Sequence, residues 1–285
     1  MLVIKLLRAM AKTTISVDLG GTHVRVARIS NGIIEKCIKE KCNSNGDEND
    51  VLQQICKLID EVINDNVERI GIGVPSVVDH EKGIVYDVQN IPSWKEVHLK
   101  SFLENIYHLP VVVDNDVNCF ALGEIVYGVG KNYKNVVGIT LGTGVGAGII
   151  CNGKIYRGTN TGAGEIGCLP YLDSDYEHYC SSQWMKKQGV EAENLSLRAS
   201  QGDEKAIALW QEFGKHLGKL MQAILFTYDP DAIIIGGGIA AGFPYFMESM
   251  KDSMHEGFPY QHEADNVQIF ISELPNCNLL GASEI

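Results

Sequence analysis

At 285 residues with a formal net charge of −12, the chain is long enough for one large domain or two modest ones, and its charge disfavours nucleic acid or an anionic membrane as partner. Hydrophobic residues make up 45% and charged residues 21%, which excludes wholesale disorder. No apolar run approaches the roughly 18 residues of a membrane span. The eight cysteines are scattered without CxxC pairs and no export signal is evident, so they read as free thiols of a cytoplasmic protein.

In chain order, residues 1–9 are hydrophobic but broken by Lys5 and Arg8, and read as a short arm or a consequence of start-site choice. Thr13–Leu19 and Val24–Ile29 are β-rich, with Ser30-Asn31-Gly32 as a hairpin turn before Ile33. Between the first two strands lies Asp18-Leu19-Gly20-Gly21-Thr22. Two glycines let backbone amides approach an anion, and the carboxylate beside them can hold a hydrated cation. That pairing suits a nucleotide phosphate with its Mg²⁺, although an ordinary tight turn needing positive φ would look the same.

Residues 47–66 carry Val51, Leu52, Ile55, Leu58, Ile59 and Val62 at helical spacing. Arg69–Val74 reads as a buried strand, followed by a turn at 79–83 and the short run Ile84–Val88. A helix is expected over Val97–Tyr107. Val111–Val113 then delivers Asp114-Asn115-Asp116 to a helix over Val117–Tyr127. Asp116 is the candidate general base, since a carboxylate can take a proton from an alcohol at neutral pH. The competing assignment is a helix N-cap.

Val136–Leu141 runs into Gly142-Thr143-Gly144-Val145-Gly146, and Ala147–Cys151 continues as a strand across Asn152-Gly153. The following strand rules out a dinucleotide fingerprint, which needs a helix there, and favours a hairpin with phosphate-facing amides. Glu204–Tyr228 is the strongest helix and stops at Asp229-Pro230. Asp231–Ile235 enters Gly236-Gly237-Gly238, where bare backbone would admit a flat adenine or simply make a tight turn. A helix over Tyr245–His255, a strand over Val267–Leu274 and a short helix over Leu279–Ile285 complete the chain. The turns after Asp18 and Leu141 both close an apolar strand with glycine and threonine, as two copies of one strand–hairpin unit would. Asn90, Asn115, Asp116 and Glu165 are the polar residues suited to sugar hydroxyls, which both donate and accept.

DLGGTHVR (18–25), DNDVN (114–118), LGTGVGAGI (141–149), GEIG (164–167) and DPDAIIIGGG (229–238) stand in the order seen in the ROK family, which groups bacterial sugar kinases with related repressors. The chain resembles that family from Thr13 to Gly281. The resemblance implies a two-domain α/β, actin-like (ASKHA, ribonuclease-H-like) fold with an ATP and sugar cleft between domains: 1–117 with 272–285, and 118–271. It implies that Asp18, Gly20, Gly21, Thr22, Thr143 and Gly144 face the ATP phosphates, with Mg²⁺ at Asp18, and that Gly237 and Gly238 border the adenosine. Asn90, in the sugar-side loop Gln89–Trp94, would bind the sugar with Asn115, Glu165 and Cys168, and Asp116 would deprotonate the accepting hydroxyl.

Cys168 stands where many members carry a histidine, and Cys180 follows alone with His178 nearby, so no zinc site is expected. A second sugar-binding glutamate has no clear match near Ser181-Ser182-Gln183. The expected activity is ATP-dependent phosphorylation of a hexose, the 6-hydroxyl of glucose or a related aldose, by a homodimer that binds neither nucleic acid nor membrane. The alternatives are a sugar-responsive transcriptional regulator, for which the first strand at Thr13 leaves no room ahead of it for a helix-turn-helix, and a sugar-binding protein without catalysis.

Overall fold

The structure is a computed structural model describing residues 13–159 and 162–285; the expected arm at 1–9 lies outside the described residues. It divides into two compact units. The first holds the described residues up to Tyr127, then Gly158, Thr159 and Gly162, and Leu274–Ile285; the second holds Gly128–Arg157 and Ala163–Glu273. The expected boundary after 117 would cut the helix Asp116–Val126, which belongs whole to the first unit.

The first unit is built on β1 (Thr13–Leu19), β2 (His23–Ser30), β3 (Ile33–Lys41), β4 (Val67–Val74) and β5 (Val111–Asn115), in the order β3-β2-β1-β4-β5. β1 is antiparallel to β2, and β2 to β3, while β1, β4 and β5 run parallel. All seven residues of β1 are buried, because helices cover both faces of the sheet at its centre. On one face Ile15, Val17 and Leu19 pack in the core that also holds Ile55, Leu58 and Ile59 of the helix Glu48–Val62. Asp47 and Asp50 form a capping box that starts this helix. On the other face Ala27 and Ile29 meet Leu279 and Leu280 of the terminal helix Cys277–Ala282. Asn31 and Gly32 both take positive φ, 50° and 76°, as a two-residue hairpin turn with right-handed twist requires.

The second unit repeats the pattern with β6 (Val136–Leu141), β7 (Val145–Cys151), β8 (Lys154–Tyr156), β9 (Ala232–Gly236) and β10 (Gln268–Ile271), in the order β8-β7-β6-β9-β10. The sense of each pairing matches the first sheet: β6, β9 and β10 run parallel, and β7 and β8 fold back antiparallel. The long helix Glu204–Tyr228 buries Trp210, Phe213, Leu217 and Met221 in the core that holds Val137, Ile139 and Leu141. Phe246 of the helix Phe243–His255 stacks edge-on against Phe213, their centroids 5.6 Å apart. The internal echo read from the glycine turns is therefore a duplication of topology: β1–β2 and β6–β7 occupy equivalent places.

Candidate active site

In the first unit the strand register decides which groups meet. Asp18 of β1 pairs with Gly73 of β4, and Gly73 pairs with Asp114 of β5. The Gly20–Thr22 turn and the Asn115–Asp116 junction thus leave the same edge of the sheet, two strand spacings or about 10 Å apart. Carboxyl ends of parallel strands are where open α/β sheets bind ligands.

Gly20 N–H donates to the His23 carbonyl at 2.9 Å, closing the turn, and neither Gly20 nor Gly21 has positive φ. Glycine is required at 21 for space: a Cβ there would lie 2.2 Å from the Cβ of Asn90. Asn90 is exposed in a loop of successive tight turns, where Ile91 N–H donates to Val88 and Trp94 N–H to Ile91. Ile91 and Trp94 are fully buried and pin that loop. The structure therefore sets an expected sugar residue directly against the expected phosphate turn.

Asp18 is nearly buried. Arg25, its cross-strand neighbour, donates through Nε to Oδ2 at 2.7 Å and pairs through Nη2 with the same oxygen, while Oδ1 is left to other partners. Among the described residues no group of three or more His, Cys, Asp or Glu could hold a metal ion. A donor set of one carboxylate oxygen suits an ion that keeps its waters and its phosphate ligands, as Mg²⁺ does on a nucleotide.

At the other end of that edge, Asn115 caps the helix Asp116–Val126. Its Oδ1 accepts from Val117 N–H at 2.8 Å, and its Nδ2 donates to the Ser76 carbonyl at 3.1 Å. The capping job considered for Asp116 thus falls to its neighbour, and Asp116 occupies the first helical position, half-buried. Asn115 keeps one amide hydrogen and one lone pair for a ligand. Asp114 is buried and accepts from Asn115 N–H at 2.8 Å and Asn118 Nδ2 at 2.7 Å, which fixes the whole DNDVN segment.

In the second unit the two glycine turns are neighbours, since Gly236 pairs with Thr140 across β9 and β6. Gly142 N–H donates to the Gly144 carbonyl at 3.0 Å, and Thr143 at the tip is exposed. Gly237 has φ +89° and sits where a Cβ would meet the Leu141 carbonyl at 2.3 Å; Gly238 faces open space. Glycine at 237 serves the strand-to-helix turn and its packing, whereas Gly238 leaves room for a ligand.

The Glu165 loop is tied to the same hairpin: Ala147 N–H donates to the Gly164 carbonyl at 2.9 Å. Glu165 remains open to solvent, yet burial among surrounding atoms, and then the charge of Glu177, push its carboxyl above the usual carboxylate range. Cys168 is also exposed, and burial together with the charges of Glu165, Glu177 and Asp175 raises its thiol. No sequence motif marks Glu177. It lies in the short helix Tyr176–Cys180, its Oε2 accepts from Val145 N–H at 3.1 Å, and Gln183 Nε2 donates to its Oε1 at 3.0 Å. Glu177 thus brings a second carboxylate near Glu165, and the side chain of Asp175 caps the helix that carries it.

The segment from 168 to 180 is held by aromatic packing. Tyr171 stacks on Tyr176 at 4.4 Å, meets Tyr179 edge-on at 5.3 Å, and its hydroxyl contacts His216 Nδ1 at 3.1 Å. Burial lowers the His216 pKa, which favours the neutral ring as acceptor for the tyrosine hydroxyl. Cys180 is fully buried, and His178 is paired with Asp175.

The fold and these turns define a two-unit, actin-like α/β protein of the sugar-kinase and repressor type. The ROK family model matches residues 14–284, and the chain belongs to the ROK family. A glucokinase of Thermotoga maritima is 31% identical, over 79% of this chain and 82% of its own. The xylose repressor of Bacillus subtilis is 29% identical, over 76% of this chain and 60% of its own. The structure of a ROK family glucokinase from Streptomyces griseus in complex with glucose and AMPPNP superposes with a TM-score of 0.82 at 26% identity, covering 95% of this chain and 98% of that one.

Proposed function

We propose that the protein is an ATP-dependent sugar kinase that phosphorylates a hexose hydroxyl, the 6-hydroxyl of glucose or a related aldose. The observation that carries this reading is the pair of equivalent Gly/Thr turns, one closing β1 and one closing β6, in two sheets of the same topology. Membership of a family that includes glucokinases, and likeness to a glucokinase solved with glucose and an ATP analogue, support it.

In this reading the amides around Gly20–Thr22 and Thr143–Gly144 hold the phosphates, with Gly237 and Gly238 beside the adenosine. Mg²⁺ carried by the nucleotide would take Asp18 Oδ1 as its protein ligand, and its charge would neutralise the phosphates. Asn90, Asn115, Glu165 and Cys168 face the sugar, and Glu177 joins them. Asp116 accepts the proton of the attacking hydroxyl as its oxygen bonds to the γ-phosphorus; the bond from that phosphorus to the bridging oxygen breaks and ADP leaves. Most of the rate then comes from orientation and charge stabilisation.

Purified protein with ATP, Mg²⁺ and a panel of glucose, mannose, allose, fructose and N-acetylated amino sugars tests this through ADP release. Turnover with one or more of these sugars is expected, and none with any would sink the kinase reading. The likeness to xylose repressors favours a second reading, a sugar-responsive regulator. A gel-shift on DNA upstream of its own gene separates the two; the kinase reading expects no retardation, in keeping with the net charge of −12.

A further inference from the structure

We propose that Gln183 is a positioning residue: it fixes the carboxylate of Glu177 in the orientation that receives a sugar hydroxyl. The proposal rests on the reading that Glu165 and Glu177 face the sugar. Glu177 is gripped at both oxygens by neutral donors from different elements. Val145 N–H, at the start of β7, holds Oε2, and Gln183 Nε2, in the helix Ser182–Lys187, holds Oε1. A Cβ on Gly144 would lie 2.3 Å from Glu177 Oε2, so the carboxylate fills the space which that glycine leaves.

Gln183 and the segment that carries Glu177 are themselves anchored. Ser181, fully buried, caps the helix by accepting from Gln183 N–H at 3.0 Å, and Trp184 and Met185 sink into the core. Ser182 N–H donates to the Gly142 carbonyl at 2.8 Å, tying the helix start to the Thr143 turn. On the far side, Tyr176 hydroxyl donates to the Lys219 carbonyl at 3.1 Å and holds the segment that carries Glu177. A carboxylate with donors on both oxygens cannot turn about its last torsion without losing one, so its remaining lone pairs keep a fixed direction. With Gln183 removed, a single amide remains, and repulsion from Glu165 turns the group away. Gln183 thus acts through Glu177, and its chemistry is that of a neutral donor.

The test compares Gln183→Met, which keeps length without a donor, with Gln183→Glu, which replaces the donor by an acceptor of the same size. The KM for the preferred sugar should rise roughly tenfold in Gln183→Met, as expected for loss of a hydrogen bond to a charged group, and further in Gln183→Glu. The KM for ATP and the melting temperature should stay near those of the unaltered protein. Glu177→Gln serves as reference and should raise the sugar KM at least as much. An unchanged sugar KM in both Gln183 variants, with a raised one in Glu177→Gln, overturns the positioning role. Parallel losses in both KM values and in melting temperature also overturn it, because a merely structural role behaves that way. If Glu177→Gln itself leaves the sugar KM unchanged, the reading of the sugar site has failed instead.

Discussion

Gly21 and Asn90 touch across the first unit, so that any side chain at 21 would drive into the Asn90 Cβ 2.2 Å away. The contact couples the Gly20–Thr22 turn to the Gln89–Trp94 loop through van der Waals exclusion. Gly21→Ala should cost about 1–3 kcal/mol of stability, the usual range for overpacking. Because the closest clash is with the Cβ, Asn90→Ala does not relieve it, whereas Asn90→Gly leaves only the tight approach of the Asn90 carbonyl at 3.3 Å. A double-mutant cycle by chemical denaturation should show Gly21→Ala well tolerated only in the Asn90→Gly background. Additive losses would mean that the two loops are not in contact.

Asp116→Asn should lower kcat by about 100- to 10,000-fold, the range for loss of a general base, while sugar binding stays nearly intact. The helix keeps its cap in this variant, because Asn115 supplies it. Calorimetric sugar titration alongside a coupled ADP assay separates the two quantities. Near-normal turnover would remove Asp116 from the role of base.

Sequence reading succeeded where burial imposes a strong pattern. β1, β6 and the helix Glu204–Tyr228 have the limits their patterns suggested: both strands are covered by other elements, and the helix buries one wide apolar stripe between Asp203 and the Asp229-Pro230 stop. The hairpin turn before Ile33 implied β3, but its extent to Lys41 was not legible, because it lies at a sheet edge, exposed and rich in Lys and Glu, which is how edge strands avoid pairing with other chains. The turns at Asp18 and Leu141 were legible since glycine leaves a local signature. Glu177 was not, because its place beside Gly144 and Glu165 is set by tertiary packing around Tyr171 and Tyr176, to which cysteine spacing is blind. The contact of Gly21 with Asn90 is equally long-range, and the register of β1, β4 and β5 alone brings Asp18 level with Asp114.

Glu165 should make stability fall as pH rises. Burial and Glu177 raise its folded-state pKa above the reference of 4.5, so the folded protein holds this proton more tightly than the unfolded chain. Stability is then greatest below the unfolded value, declines through the window between 4.5 and the raised folded value, and is level above it. Glu165→Gln removes that decline. Urea midpoints of the two proteins, measured from pH 4 to 7, should differ in favour of the variant, increasingly as pH rises. A difference that shrinks with pH would reverse the assigned direction, and the comparison cancels the carboxylates common to both proteins.

Gly237 and Gly238 should respond differently to the same substitution, although they are adjacent. Gly237 combines φ +89° with a Leu141 carbonyl only 2.3 Å from where a Cβ would stand. Gly237→Ala therefore strains the backbone and displaces the end of β6, and should cost about 1–3 kcal/mol or more. Gly238 has open space at that position, so Gly238→Ala should leave stability within about 0.5 kcal/mol. If adenosine lies against this turn, the added methyl takes up room the base needs, and the KM for ATP should rise in Gly238→Ala while that for sugar holds. Thermal melts and ATP titrations of the two variants provide the check. Equal destabilisation would contradict the open space at 238, and an unchanged ATP KM would move the adenosine elsewhere.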